Sequence, residues 1–414
     1  MITISEALEH VCQRSGPLEA ESRPLADARG YRLAEDIISD MDSPPFHKAL
    51  MDGYAVRSAD LVTGRAELRR LEVLPAGSVA RLPVGHGEAT QIMTGAPLPS
   101  GADAVVKVED TAFDADTQTA LINTRPVRSG QNVLQQGASL RCGERVLSVG
   151  CRLDAQHLGA LAELGRDSIS VLKRPQVAVL ATGDELVPIH DTPGPGQIRN
   201  SNETMLVAQI QRAGAQPIPL GISGDNRRQL GERVAAGLEH DVLLLSGGVS
   251  AGQLDLVPEV LESAGVEKVF HQVKIKPGKP VWFGVRPATG HRSRCLVFGL
   301  PGNPVSSLVS FELLARTAIS RMCGVQPGIP RPLAARLTKD HLAGGDRPTY
   351  HPAHLYWTQD GWEVHAVRWM GSADLRATVE ANAMICFPAS QRTISSGELV
   401  DVIPWDNVPM SGKS

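Results

Sequence analysis

Apolar positions change period along the chain. Near the start, Ala7, Leu8, Val11 and Cys12 recur at helical spacing and Ser5 stands where an N-cap belongs, so a helix is predicted within the first 40 residues, followed by irregular chain. Ser43-Pro44-Pro45-Phe46 interrupts, because two successive prolines exclude helix. From there to about residue 150 the pattern reads as strand, most plainly at Ala104-Val105-Val106-Lys107-Val108-Glu109 beyond Ser100-Gly101. Asp154 then caps a predicted helix carrying Leu158, Leu161 and Leu164, with Gly165 just past its end.

Residues 173–325 alternate strand and helix. Strands are predicted at Val177–Ala181, Gln216–Leu220, Val242–Leu245, Val269–Ile275, Val281–Val285 and Leu296–Phe298. Helices are predicted from about Glu203 to near Gly214, through Leu230, Val234 and Leu238, and through Leu256, Val260 and Leu261. A last helix opens at Asn303-Pro304, asparagine as cap and proline at the first helical position, and runs past Leu308, Val309 and Leu313 to Gly324. This alternation implies a mainly parallel sheet covered on both faces. Beyond Pro327 the prolines at 330, 332 and 348 break the chain, and 333–403 reads as short strands with turns at Asp360-Gly361 and Ser396-Gly397, a small β domain.

Composition narrows the class. At 414 residues the soft prior is roughly three folding units. Lys plus Arg number 41 against 45 for Asp plus Glu, a formal net charge of −4, so a general nucleic-acid-binding protein is not expected. No apolar run reaches membrane-spanning length, and MITISEALEH lacks the basic-then-apolar layout of a signal peptide. Six cysteines without a CxxC pair read as reduced cytosolic thiols, hence a cytoplasmic expectation.

Ligands bind beyond the carboxyl ends of the strands in an open α/β sheet. There the chain places Thr182-Gly183-Asp184-Glu185, Gly221-Ile222-Ser223-Gly224-Asp225, Ser246-Gly247-Gly248-Val249-Ser250 followed by Asp255, Lys276-Pro277-Gly278-Lys279-Pro280 and Leu300-Pro301-Gly302-Asn303-Pro304. Glycines let backbone N–H groups approach phosphate oxygens, the helix beginning near Pro304 favours anions, and Lys276 and Lys279 add full charges. The acids would repel phosphate unless a divalent cation lay between, so Glu185, Asp225 and Asp255 are the Mg²⁺ candidates. The plain alternative for Asp225 is a helix cap. His157, His240 and His291 are read as structural, His47 and His271 only slightly less so, and Trp282, Trp357, Trp362 and Trp369 as core or domain-contact residues.

SPPF followed by MDGYAV at 51–56, QIMTGAPLPSGAD at 91–103, AVLATGDEL at 178–186, IRNSN at 198–202, LSGGVS at 245–250, IKPGKP at 275–280 and GLPGNPVSS at 299–307 resemble, in order along nearly the whole chain, the molybdopterin molybdenumtransferase (MoeA) family, related to the gephyrin E domain. The resemblance implies insertion of molybdate into adenylylated molybdopterin, with release of AMP in the presence of Mg²⁺. It implies an α/β multidomain chain: a discontinuous helical linker (1–40 with 139–172), a β-rich lobe (41–138), a molybdopterin-binding α/β domain (173–325) and a C-terminal β-barrel (326–414). It further implies an elongated homodimer, with the active site between the α/β domain of one subunit and the β-rich lobe of the other, and transient contact with the molybdopterin adenylyltransferase. Neither nucleic acid nor membrane is an expected partner.

Carried over by motif, the site comprises Asp52, Thr94, Glu185, Asp225, Asp255, Lys276 and Lys279, the loop residues Gly247, Gly248 and Ser250, the turn residues Pro301, Gly302, Asn303, Pro304 and Ser306, and Ser372 in WMGSAD. The expected division of labour gives Mg²⁺ to Glu185, Asp225 and Asp255, and molybdate to Lys276, Lys279, Ser306 and the backbone of the 301–304 turn. Asp52 and Thr94 complete the site from the partner lobe, with Asp52 a candidate base. Positive charge is needed, since two unit charges of like sign 4 Å apart repel by roughly 4 kcal/mol at an effective dielectric near 20. Two departures remove cations: Gln272 stands where many members carry lysine, and Pro352 falls where a second arginine often occurs, with Lys274 or Arg347 as compensating candidates. The competing readings are a non-enzymatic molybdopterin-binding scaffold of gephyrin type and a nucleotide hydrolase of the competence-damage type.

Overall fold

The computed structural model describes residues 1–249, 256–290, 293–390 and 392–406. The chain forms two compact units, one from Pro24–Ala26 and Glu35–Ser168, the other from Met1–Arg23, Asp27–Ala34 and Ile169–Ser414. The helix at the start, α1 (Ile4–Arg14), therefore clusters with the second unit. Its N-cap is Thr3 and not the expected Ser5, because Thr3 and Glu6 form a reciprocal capping box.

The first unit is built on six strands: β1 (Gly53–Val56), β2 (Arg65–Leu74), β3 (Glu88–Ile92), β4 (Ala104–Lys107), β5 (Thr111–Asp114) and β6 (Thr119–Asn123). They pair in the order β4-β1-β3-β2-β6-β5, antiparallel except for β2 with β3. Alternation sends Tyr54, Val56, Ala104 and Val106 to one buried face and Ala55, Val105 and Ile92 to the other. Gly53 is required where strands meet, since a Cβ there would lie 1.8 Å from the Val106 carbonyl oxygen. The helix α2 (Ala155–Glu163) starts at the expected cap Asp154 and stops before Gly165, which takes φ +69°.

In the second unit the predicted alternation is realised as β7 (Gln176–Thr182), α3 (Ser201–Arg212), β8 (Gln216–Ser223), α4 (Arg227–Gly237), β9 (Val242–Ser246), α5 (Val257–Ser263), β10 (Glu267–His271), β11 (Trp282–Arg286) and β12 (Cys295–Leu300). The sheet order is β8-β7-β9-β12-β11-β10; the first four strands are parallel, β11 pairs antiparallel with β12, and β10 pairs antiparallel with β11 and so runs with the first four. Val177 and Val179 face α3, while Ala178 and Leu180 face α4 and α5, so both faces are covered. β10 ends four residues before the expected Ile275 because the chain leaves the sheet there: Val273 bridges Ile2 and Lys276 bridges Thr349.

After β12 comes one continuous helical rod, α6 (Pro304–Ser310), a π-helical turn (Phe311–Ala315) and α7 (Arg316–Met322). The small β domain is a closed barrel of β13 (Leu333–Leu337), β14 (Thr349–Thr358), β15 (Gly361–Ala366), β16 (Ala383–Phe387) and β17 (Leu399–Pro404), in the order β13-β15-β14-β16-β17. Ala335, Leu355, Val364, Ile385 and Val402 fill its interior. Among the described residues no helix is long and apolar enough to cross a membrane, and all six cysteines are free.

Candidate active site

The first strand of the α/β domain, β7, lies between β8 and β9, so the chain leaves it in one direction and returns on the other side. Such a switch point opens a crevice at the carboxyl ends of the strands. Register places Thr182 beside Ser223, Ala181 beside Ser246, and Ser246 beside Leu300. A cavity of about 310 Å³ sits there, lined by Thr182, Glu185, Asn200–Asn202, Ser246 and Gly302–Pro304 among others. Two helix beginnings face it, that of α3 at Asn200–Asn202 and that of α6 at Asn303-Pro304.

Asn202 ties the rim together. Its Nδ2 donates to Ser246 Oγ at 2.8 Å and to the Gly302 carbonyl at 2.7 Å. Its Oδ1 is buried without a hydrogen-bond partner among the described residues. Gly247 adopts φ +99°, and a Cβ there would lie 2.4 Å from the Thr182 carbonyl oxygen, so only glycine holds this loop against β7. Asn303 occupies the predicted cap position, but its side chain makes no capping bond and lines the cavity instead. Ser306, expected on the turn, is 3% exposed and lies inside the rod, as do Ser307 and Ser310.

Glu185 lines the cavity, and Gly183 gives its carboxylate room, since a Cβ at Gly183 would stand 2.4 Å from Glu185 Oε2. Asp225 stands at the end of the neighbouring strand, with its backbone N–H donating to Asp184 Oδ1 at 2.9 Å. The helix cap after it is Asn226, whose side chain accepts from Arg228 and Gln229, so Asp225 does not serve as the cap. Glu185 and Asp225 are both exposed. Hard carboxylate oxygens of this kind suit Mg²⁺, which commonly takes one or two protein carboxylates together with substrate phosphates. Asp255 and Ser250 lie outside the described residues, and among the described residues no group of three His, Cys, Asp or Glu gathers for a metal.

Lys276 is not in this cavity. Its backbone is held to the barrel by Lys276 N–H donating to Pro348 O at 2.9 Å and Tyr350 N–H donating to Lys276 O at 2.7 Å. The side chain lines a second cavity of about 270 Å³ with Thr349, His341, His351, Trp369 and Gly371 among others. Trp369 packs against the core of the α/β domain, as expected of a core or domain-contact residue, and also lines this cavity; its Nε1 is buried without a hydrogen-bond partner among the described residues. Burial holds His351 down at about 4, and the nearby Lys276 charge pushes the same way. Among the described residues lining this cavity, Lys276 supplies the ammonium group. Lys279 is exposed and borders neither cavity; Gly278 between the lysines packs on α6, where a Cβ would meet Ser310 Oγ at 2.6 Å. Arg347 donates to the Ile275 carbonyl at 3.1 Å and so braces the lysine segment.

The two cavities share a wall. Gly371 lines the second, Ala373 lines the first, and the Ser372 carbonyl between them accepts from the Val305 N–H at 3.0 Å. In the other unit, Thr94 donates to Asp52 Oδ1 twice, from N–H and from Oγ1, each at 2.7 Å, because β1 and β3 pair Gly53 with Ile92. These bonds lower the Asp52 pKa below the ordinary carboxylate range, which makes it a poor base at neutral pH. Thr182 and Ser246 line the cavity from the strand-end loops expected there, while Arg199, Asn200, Ser201 and Asn202 had no role assigned; their signal was the IRNSN segment, whose Asn and Ser look like ordinary helix-capping residues.

Residues 2–165 match the family model for the MoeA N-terminal region (domain I and II), residues 178–321 the model titled "Probable molybdopterin binding domain", and residues 334–405 that for the MoeA C-terminal region (domain IV). The chain is 33% identical to the molybdopterin molybdenumtransferase of Staphylococcus epidermidis over 407 residues, 97% of this chain and 95% of that protein. It is 32% identical to the molybdopterin molybdenumtransferase of Staphylococcus aureus over 410 residues, again 97% and 95%. Crystal structures of the molybdopterin biosynthesis MoeA protein from Pyrococcus horikoshii superpose with TM-scores of 0.84 and 0.80 at 30% identity, over 98% of this chain and 100% of theirs.

Proposed function

Because the chain belongs to the molybdopterin molybdenumtransferase family, a transferase of molybdenum cofactor biosynthesis, we propose that it inserts molybdate into adenylylated molybdopterin with Mg²⁺-dependent release of AMP. The observation that carries this reading is the pair of cavities sharing the Gly371–Ala373 wall, one faced by two helix beginnings and the other holding Lys276. They suit two different anions that must meet.

The crevice at the α3 and α6 beginnings takes the phosphorylated pterin. Backbone N–H groups there orient its phosphates, the Asn202 amide holds the rim in place, and Gly247 and Gly302 allow close approach. Glu185 and Asp225 would hold Mg²⁺, which when bound offsets phosphate charge and stabilises the leaving AMP. Molybdate occupies the adjacent cavity. Lys276 supplies the charge, and the Thr349 hydroxyl and the Trp369 indole N–H supply neutral donors at the same wall. His351, kept neutral by burial, adds no second charge, so a tetraoxo anion is held firmly enough to position and weakly enough to react.

The family's dimer brings the partner subunit's Asp52 and the partner subunit's Thr94 to this crevice. With its carboxylate held anionic, Asp52 serves to orient substrate rather than to take a proton. The test is to incubate purified protein with adenylylated molybdopterin, Mg²⁺ and molybdate, and to measure AMP and molybdenum cofactor together. Equal yields of both support the reading. Pterin binding without AMP release would leave the scaffold reading in its place.

A further inference from the structure

The outward face of the C-terminal barrel carries charge that the reaction above does not use. β14 and β15 pair in register at His354 with His365 and at Tyr356 with Glu363. Leu355 and Val364 point into the barrel core, so strand alternation turns His354, Tyr356 and His365 outward. With Lys339, Arg368 and Glu380 they line a cavity of about 550 Å³, larger than the cavity of about 310 Å³ at the sheet edge and the one of about 270 Å³ beside Lys276, and sharing no lining residue with either.

Its electrostatics are one-sided. Among the described residues, neither the Lys339 ammonium nor the Arg368 guanidinium forms an ion pair. The Glu363 carboxylate is engaged by the Tyr356 hydroxyl at 3.0 Å, which leaves Glu380 as the acid that lines the cavity. His354 Nδ1 lies 3.0 Å from the Glu380 carbonyl oxygen, and a carbonyl only accepts, so Nδ1 carries the proton and donates. The ring is thereby fixed, and its Nε2 is left as an acceptor for a hydroxyl of the ligand. Tyr356 and His354, ring centroids 5.8 Å apart, form an aromatic wall beside the cations.

We propose that this cavity is a separate binding site for a phosphate monoester of mononucleotide size. The two unpaired cations select an anion, and their charge disfavours a metal ion. The volume exceeds what one inorganic phosphate fills and lies in the range of small-molecule pockets. The aromatic wall suits the organic part of the ligand.

The experiment titrates the full chain with AMP, and separately with inorganic phosphate as a competitor, by calorimetry. Wild type is compared with Lys339→Gln and Arg368→Gln, both at exposed positions, and with Lys276→Gln as the marker of the other anion cavity. Loss of one charge-assisted contact should weaken AMP binding about tenfold or more in each barrel variant, with phosphate competing and Lys276→Gln leaving this binding in place. AMP binding untouched by both barrel variants, or abolished by Lys276→Gln alone, overturns the proposal. So does binding of Zn²⁺ through His354 and His365 with no AMP bound.

Discussion

Asn202 holds Gly302, 100 positions away in sequence, through a 2.7 Å hydrogen bond from Nδ2 to the Gly302 carbonyl, while the same nitrogen reaches Ser246 Oγ at 2.8 Å. One amide thus fastens the start of α3 to the loops after β9 and β12. Asn202→Ala should cost about 1–3 kcal/mol of stability by leaving those acceptors unpaired. It should raise KM for the adenylylated pterin and leave KM for molybdate unchanged. Thermal unfolding and the two KM values check this.

Stability should fall as the solution is acidified through the range that His351 spans. Its folded pKa is pushed down to about 4 from an ordinary 6.5, so between these values the unfolded chain binds the extra proton and the folded chain does not. The contribution is full above about pH 6.5 and is lost progressively as pH falls towards 4, with an amplitude on the order of 2–3 kcal/mol. His351→Gln keeps a donor for the Val367 carbonyl, 2.9 Å away, and should flatten this part of the profile. Denaturant unfolding at a series of pH values measures it.

Glu312 is fully buried in the π-helical turn, where Oε1 accepts from Gln209 at 2.7 Å and from Arg212, and Oε2 accepts from Arg316 at 2.7 Å. It clamps α3 to the α6–α7 rod, the two helices whose beginnings face the crevice. Glu312→Gln should destabilise by about 3 kcal/mol, the low end for a broken buried pair, because the arginine side chains stay 32% and 30% exposed. Chemical denaturation of the variant gives the number.

Much of this architecture was legible because it depends on local pattern. Asn303-Pro304 announced a helix start, Asp154 and Gly165 bracketed α2, and alternating apolar runs announced a sheet with two covered faces. The glycine loops and acids at the strand ends followed from that sheet. What stayed hidden depends on distant register. Asn202 looks like a first-turn polar residue until β7, β9 and β12 bring Ser246 and Gly302 to it. Lys276 sits in the KPGKP run beside the other loops in sequence logic, yet its backbone pairing with Pro348 and Tyr350 carries it to the barrel side. Trp369 read as a core or domain-contact residue and does pack on the α/β core, but its unpaired Nε1 and its cavity position have no signature in composition.

The dimer reading predicts complementation. Asp52→Ala and Glu185→Ala should each be inactive alone, and mixing them under exchange conditions should restore part of the activity. Activity that stays absent in verified hybrids would confine the site to one subunit.

The division of substrates between the two cavities is tested most directly by steady-state AMP release at varied molybdate and varied pterin in Lys276→Ala. The account predicts KM for molybdate raised about tenfold or more, KM for adenylylated molybdopterin unchanged, and activity largely recovered at high molybdate. An unchanged molybdate dependence, or a defect confined to the pterin, would contradict it.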